Sequence, residues 1–315
     1  MKNISRLRSI AIIVILAASM VMSVIFGLVS AKATLRDNNE KDCRMTAALV
    51  SNAIDNSFLR PMTVSETMSK DASLRDYLKK SGASAESVEA EIADYLDSIR
   101  NGFGYVMVFA VCEKSKAYYT YNGISKFVDP ENDPHDTWYK LFVESGKSCN
   151  LDVDTEEAAN WTMSVFVNDA VYDENNEFLG ICGVGVEMTQ LQLFLERYER
   201  IYDINIDLID HTGLVLVDTD GEQIERDYIK VENLSAMTDG EYYYEILDSG
   251  NRVITYMENL DWFLVVTDNA AESKGLLATA KPFLGCTAAA AVLVLAVVIG
   301  TMWYEKAHKG SEKND

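Results

Sequence analysis

Residues 161–187 read WTMSVFVNDAVYDENNEFLGICGVGVE. Two runs rich in β-branched and aromatic residues, Trp161–Tyr172 and Glu177–Glu187, flank the polar tetrapeptide Asp173-Glu174-Asn175-Asn176. Strand-forming runs on either side of a short Asn/Asp-rich turn predict a long antiparallel hairpin. The remaining pattern is read outward from this hairpin.

Upstream, Tyr105–Val111 and Ala117–Tyr121 are short strand-like runs separated by the charged turn Glu113–Lys116. Asp133-Pro134-His135-Asp136 reads as a loop that caps a helix over Thr137–Ser145. Earlier still, Met45, Leu49, Ala53 and Phe58 give Thr34–Arg60 an apolar helical stripe, which Pro61 is expected to end or kink. Asp71–Lys80 and Glu86–Arg100 are further helical runs, and Met188–Tyr202 follows the hairpin. The strand pattern then restarts with Ile204–Asp210 and Leu214–Asp218. A meander of Glu241–Leu247, Asn251–Glu258 and Trp262–Asp268 follows, bending at Ser249-Gly250 and Asn259–Asp261. The prediction is an α+β chain with two tandem units, each built on a mostly antiparallel sheet of about five strands, the first unit larger than the second.

The ends have a different character. Ser9–Ala31 and Pro282–Tyr304 are each 23 residues without a charge, longer than the roughly 20 a helix needs to cross a bilayer. Lys2, Arg6 and Arg8 precede the first run, and Lys306, Lys309 and Lys313 follow the second. The positive-inside rule therefore puts both termini in the cytoplasm and residues 33–280 outside, with Trp303 and Tyr304 at the inner interface. Ala31-Lys32-Ala33 also resembles a signal-peptide cleavage site, but the uncharged run exceeds a typical signal core, so a retained anchor is the expectation. Small residues four apart, Ser19, Ser23 and Gly27 in one run and Gly285 and Ala289 in the other, suit close helix packing in a homodimer or with a membrane partner.

The chain of 315 residues has a formal net charge of −21, and 33–280 holds 20 Lys+Arg against 46 Asp+Glu. So acidic a segment is a poor partner for nucleic acid, which is held by clustered cations. Five cysteines show no metal-ligand spacing, and a Cys112–Cys149 disulfide stands as an alternative to buried free thiols. Gly183 and Gly185 make no phosphate-binding motif, and no cofactor is implied.

The whole layout resembles a double Cache, PAS-like extracytoplasmic sensor domain of the kind found on bacterial diguanylate cyclases and chemoreceptors. Ser57–Met62 followed by Leu74–Leu78 is similar to that family's stalk helix and turn, Asp136-Thr137-Trp138-Tyr139 to its Trp-Tyr pocket signature, and Phe178–Val186 to the strand closing its first unit. The resemblance covers 9–304 and implies this division: 1–8 a cytoplasmic N-terminus, 9–31 a first span, 33–84 stalk helices, 85–200 a membrane-distal unit, 201–272 a membrane-proximal unit, 282–304 a second span and 305–315 a short cytoplasmic tail. It also implies a small-molecule pocket in the distal unit. In the family's amino-acid-binding branch an Arg two residues before the Trp takes the carboxylate, and an Asp in the closing strand takes the amino group. Those positions here hold Asp136 and Gly185, so both recognition groups are absent.

The candidate ligand-binding residues are Tyr119, Tyr121, Lys126, Asp136, Trp138, Tyr139, Asp152, Asp154 and Asn168, with His135 nearby. Aromatic walls with a few polar groups suit a small polar ligand. An amine or neutral polar ligand is favoured; a carboxylate would have only Lys126 and His135 to meet it. Bland readings stand beside these: Trp138 as a core anchor, Asp136 as a helix cap, and Asp152 and Asp154 as the wet face of a strand. No Ser-His-Asp order, metal cluster or carboxylate pair argues for an enzyme. Glu305–Asp315 is too short to fold, so a sensor is expected to act through a separate output chain. The alternative is a non-signalling solute-binding protein at the cell surface.

Overall fold

The computed structural model describes residues 2–156, 162–231, 234–238, 240–247, 250–268 and 272–311; Trp161 and the bend residue Ser249 lie outside them. Two compact units form, one of 1–42, 247–251 and 269–315, the other of 43–246 and 252–268. The helix α1, Lys2–Ser69, belongs to both. In the first unit its N-terminal part packs against α6, Glu272–Ser311. The contact is tight at Gly27, where a Cβ would stand 3.0 Å from Cβ of Phe283. Both α1, from Val14 onward, and Ala280–Gly300 of α6 are long and apolar enough to cross a membrane, with mean hydropathies of 2.4 and 2.5 over the most apolar 18 residues of each.

In the second unit α1 buries Cys43, Ala47, Val50, Ile54, Phe58, Ser65 and Met68 along one face. Pro61 does not end this helix, which continues two more turns to Ser69. Pro61 cannot donate to the Ser57 carbonyl, a cost of about 3 kcal/mol in a helix interior. Phe58 below it and Val64, Ser65 and Met68 above it are all buried, and that packing on both sides offsets the loss.

After α1 come α2 (Ala72–Ser81), a 3₁₀ turn at Ala85–Val88 and α3 (Glu89–Phe103). The Asp71 side chain caps α2 by accepting from the amides of Ser73 and Leu74, and Gly104 ends α3 in the left-handed region at φ 78°. The first sheet has six strands: β1 Met107–Cys112, β2 Ala117–Thr120, β3 Gly123–Phe127, β4 Cys149–Glu156, β5 Thr162–Tyr172 and β6 Phe178–Glu187. Their order is β3-β2-β1-β6-β5-β4, and the neighbours are antiparallel. The expected hairpin is its centre, β5 against β6. The edges β3 and β4 bring the sheet to one strand more than expected. A helix α4, Thr137–Ser145, lies between β3 and β4 in sequence.

α5, Met188–Tyr202, leads to a five-stranded sheet of order β8-β7-β11-β10-β9, formed by β7 Ile204–Ile209, β8 Val215–Val217, β9 Tyr242–Leu247, β10 Gly250–Met257 and β11 Trp262–Asp268. Alternation divides the first sheet cleanly. Val108, Ala110, Tyr119, Val153, Val165, Val167, Cys182 and Val184 join the core that includes the buried face of α1. Met107, Phe109, Val111, Tyr118, Phe166 and Ile181 face the other way, with Tyr139 and Phe142 of α4. The candidate site is on this second face. All five cysteines, Cys112 and Cys149 among them, are free thiols.

Candidate ligand pocket

Between α4 and the sheet, a pocket is lined by Phe109, Tyr118, Lys126, His135, Trp138, Asp152, Asp154, Thr155, Phe166 and Asn168. Its base is aromatic. Phe109 stacks on Tyr118 with ring centres 5.2 Å apart, and Trp138 stands edge-on to both at 5.9 and 6.5 Å. Phe166 meets Phe109 edge-to-face at 6.0 Å. Glycine makes this base possible: a Cβ on Gly183 would lie 2.7 Å from the Phe109 ring, and one on Gly185 would lie 2.9 Å from that of Phe166. The cavity is small, about 40 Å³, well below the size of a typical ligand site.

One wall is made of acceptors. Asp152 and Asp154 project from β4 on the pocket side, and the register Asp152–Phe166–Gly185 carries Asp152 into the cross-strand row of Gly185. Burial pushes the Asp152 carboxyl up to about 7, and the charges that act on it, Asp154 and Glu225, are both negative and add to the shift. Burial and then Asp154 raise Glu225 in turn. Asn168, 2% exposed, donates its Nδ2 to Oδ1 of Asn150 at 3.1 Å and leaves its own buried Oδ1 without a partner. The opposite wall holds Lys126, whose Nζ lies 2.8 Å from Oδ1 of Asp136.

Of the nine candidates, Lys126, Trp138, Asp152, Asp154 and Asn168 come together here, joined by His135. Asp136 lies behind Lys126, 1% exposed, its Oδ2 accepting the Asp129 amide at 2.7 Å. It is not the helix cap expected of it: its side chain caps nothing, while Asp133 accepts from the His135 amide at 2.9 Å. Tyr119 is on the wrong face of the sheet, its hydroxyl bonded to Oγ of Ser81 and donating to the Ala85 carbonyl. Tyr121 lies under the Arg100 guanidinium, 4.0 Å from its ring centre. Tyr139 does not line the pocket: it is buried in the apolar cluster between α4 and the sheet, donating to Glu113. The sequence reading missed Phe109, Tyr118, Thr155 and Phe166. For Phe166 the available signal was parity, since it lies two residues from Asn168 on the same strand, β5. Among the described residues no group of three or more His, Cys, Asp or Glu is arranged to hold a metal.

No protein-family model matches the chain. Solved structures do. The sensory domain of the Campylobacter jejuni chemoreceptor Tlp3 matches with a TM-score of 0.54 at 12% identity, over 76% of this chain and 97% of its own. The extracellular domain of mmHK1S-Z2 matches at 0.55 and 16%, over 76% and 98%. The ligand-binding domain of Mlp24 with asparagine matches at 0.51 and 13%, over 78% and 98%. At this identity the likeness is one of fold. That fold is the double Cache sensor-domain fold, mixed helix and sheet on a long N-terminal helix.

Proposed function

We propose that the chain is a two-pass membrane-anchored sensor whose outer segment binds a small amine-bearing ligand in the first-sheet pocket and relays its presence to a signalling partner. Under this reading 85–200 is the membrane-distal unit that binds and 201–272 the membrane-proximal unit that transmits. The observation that carries it is the acceptor wall: the carboxylates of Asp152 and Asp154 line one side of the pocket together with the unpartnered Oδ1 of Asn168. An ammonium group offsets the cost of burying Asp152 beside Asp154, and Trp138 and Tyr118 offer it aromatic faces. The carboxylate expected in the closing strand is Gly185 here, and Asp152, in the same cross-strand row, supplies an acid in its place. Lys126 is already neutralised by Asp136, which argues against a purely anionic ligand. Fold relatives are consistent with small ligands: Tlp3 is known with isoleucine bound and Mlp24 with asparagine. At about 40 Å³ the cavity has to widen to take a ligand, as a pocket that opens around its ligand does.

The test is a thermal-shift screen of the full chain in detergent against monoamines, diamines, amino acids, carboxylates and purines. At 100 times its dissociation constant a ligand adds about 2.7 kcal/mol of stability. A shift given by amines and lost in Trp138→Ala and Asp154→Asn supports the reading. A panel that shifts nothing, or shifts only with carboxylates, sinks it.

A further inference from the structure

A second cavity opens at the edge of β5. Asn168 lines the aromatic pocket, whereas Asp169, the next residue and so on the strand's other face, lines a cavity of about 390 Å³. β4 begins opposite Asp169, and the last contact before it is the Ser148 carbonyl accepting the Ala170 amide at 2.9 Å. Beyond that point the end of α1, with Glu66 and Lys70, and the first turn of α2, with Arg75, supply the facing wall. This cavity falls within the roughly 300–1,000 Å³ of small-molecule sites, which the first pocket does not. Its floor is Asp169, 5% exposed, with a buried Oδ2 that has no hydrogen-bond partner. Burial pushes this carboxyl up to about 6, and the Ser65 hydroxyl, the Cys149 thiol and the Lys70 ammonium oppose the rise without cancelling it. At the rim, Arg75 is held by the turn it borders: Nη2 donates to the Lys70 carbonyl at 2.6 Å and Nε to that of Asp71 at 3.5 Å. Its Nη1 is left with Oε1 of Glu174 at 4.0 Å, an acid already bound to Lys79 at 2.7 Å. Lys70 and Glu66 pair with each other at 2.5 Å. The two least matched charges are therefore a deep carboxylate and a fixed guanidinium.

We propose that this cavity is a second ligand site, which takes a small zwitterion with its ammonium on Asp169 and its carboxylate on Arg75. An ammonium gives Oδ2 of Asp169 the donor it lacks and offsets the cost of burying that carboxylate. A carboxylate matches the edge of the guanidinium that Glu174 meets only loosely. The charged lining residues, Glu66 and Asp169 against Lys70 and Arg75, balance, so a ligand with separated poles and no net charge leaves that balance intact. A plain amine would leave Arg75 without a counterpart, and a plain carboxylate would add a third acid beside Asp169 and Glu66. The first pocket differs, since there Asp152 and Asp154 outnumber Lys126. The two sites share no lining residue, so this one stands even for a chain whose first pocket binds no amine.

The experiment uses the full chain in detergent, as Asp154→Asn to take the first pocket out of play. The probes are ω-amino acids from glycine to aminohexanoic acid, beside monoamines and monocarboxylates of the same lengths. At least one ω-amino acid is expected to raise the melting temperature where its amine and carboxylate counterparts do not. Asp169→Asn and Arg75→Gln should each weaken its binding about tenfold or more. In the parent chain the same two changes should leave amine binding at the first pocket unaltered. A positional readout needs neither variant. In a Cys286→Ser background, Ser148→Cys puts an exposed thiol at the cavity mouth, while burial pushes the neighbouring Cys149 thiol up to about 12 and keeps it slow to react. The same ω-amino acid should slow alkylation of Ser148→Cys by N-ethylmaleimide several-fold and leave that of exposed Ser87→Cys unchanged. A response that survives Asp169→Asn and Arg75→Gln overturns the proposal. So does an equal response to plain amines, or a series in which no member protects Ser148→Cys.

Discussion

Lys126 and Asp136 form an ion pair at 2.8 Å in which the acid is 1% exposed and the ammonium still borders the pocket. The carboxylate also accepts the Asp129 amide at 2.7 Å, so it ties the end of β3 to the start of α4. Asp136→Ala takes away the carboxylate that meets both the Lys126 ammonium and the Asp129 amide. The expected cost is roughly 2–3 kcal/mol, as for hydrogen bonds to a charged group. Denaturant unfolding of the full chain in detergent measures it. The same change removes a negative charge from beside the cavity and keeps that of Lys126, so ligand preference should move from amines toward anions. An Asp136→Ala chain as stable as the parent would show that the pair contributes nothing to holding α4.

The acceptor wall gives stability and affinity opposite responses to pH. Burial raises Asp152 to about 7, and burial followed by Asp218 raises Asp207 to about 7. An unfolded Asp releases its proton near 4. Between about 4 and 7 the folded chain therefore holds more protons than the unfolded chain, and its stability falls as pH rises through that window. The empty protein should melt higher at pH 5.5 than at pH 8. Asp152→Asn should flatten part of that slope and raise the midpoint at pH 8. Amine affinity, which needs Asp152 ionised, should instead weaken from pH 8 to pH 6. Affinity constant across that range would count against an ammonium held by Asp152.

Gly183 and Gly185 are small because rings lie on them. An alanine methyl at 183 would meet the Phe109 ring at 2.7 Å and the Val167 carbonyl oxygen at 2.5 Å, the latter being backbone that cannot step aside. Gly183→Ala should cost about 1–3 kcal/mol through overpacking. Gly185→Ala meets the edge of Phe166 at 2.9 Å, a side chain that can turn, so its stability cost should be smaller while ligand binding still falls. Melting and binding of both variants separate the two effects. Equal stability losses would contradict this division.

The parts of the fold legible in sequence were those with a strong local period. The β5–β6 hairpin and the α4 helix with Trp138 each repeat a pattern over ten residues or so. The helical run of α1 was legible too, but not its inner face: of the expected stripe Met45, Leu49, Ala53 and Phe58, only Phe58 is buried, while Met45 and Leu49 are exposed and Cys43, Ala47, Val50 and Ile54 face the core. Pro61 misled because its penalty is local while the compensation comes from Phe58 and Met68 packed on the sheets. Tyr119 was taken for Tyr118 because Tyr118-Tyr119-Thr120-Tyr121 has no polar–apolar alternation to fix its parity, and β2 also shifts register against β3 between Tyr118 and Tyr119. Phe109 and Phe166 sit in runs that read as uniform core, and a pocket floor has the same composition as a core. Asp136 looked like a cap because it directly precedes a helix. Its true partner, Lys126, is ten residues back, beyond any helical or strand period.

Asp261, in the turn between β10 and β11 at φ 58°, gathers three donors: Lys147, the Tyr256 hydroxyl at 2.6 Å and Nε2 of His211 at 2.8 Å. Lys147 lies in the loop between α4, which carries Trp138, and β4, which carries Asp152 and Asp154. The contact therefore ties two walls of the pocket to the second sheet. Although burial opposes it, the hydrogen bonds from Lys147, Tyr256 and His211 hold the Asp261 carboxyl down at about 2. An acid depressed in the folded state stabilises above its unfolded pKa near 4, and that contribution is lost as pH falls toward 2. Asp261→Asn keeps the left-handed turn accessible and removes the charge, so its destabilisation should be present at pH 7 and shrink below pH 4. The site is about a third exposed, so the loss should be near 1 kcal/mol. Ligand affinity should change little, because Asp261 does not line the pocket, whereas protection of β11 amides on ligand addition, read by hydrogen exchange, should drop. If β11 responds to ligand equally in the variant, the coupling between pocket and second sheet runs through other contacts, with α5 and the loop bearing Glu225 the next to test.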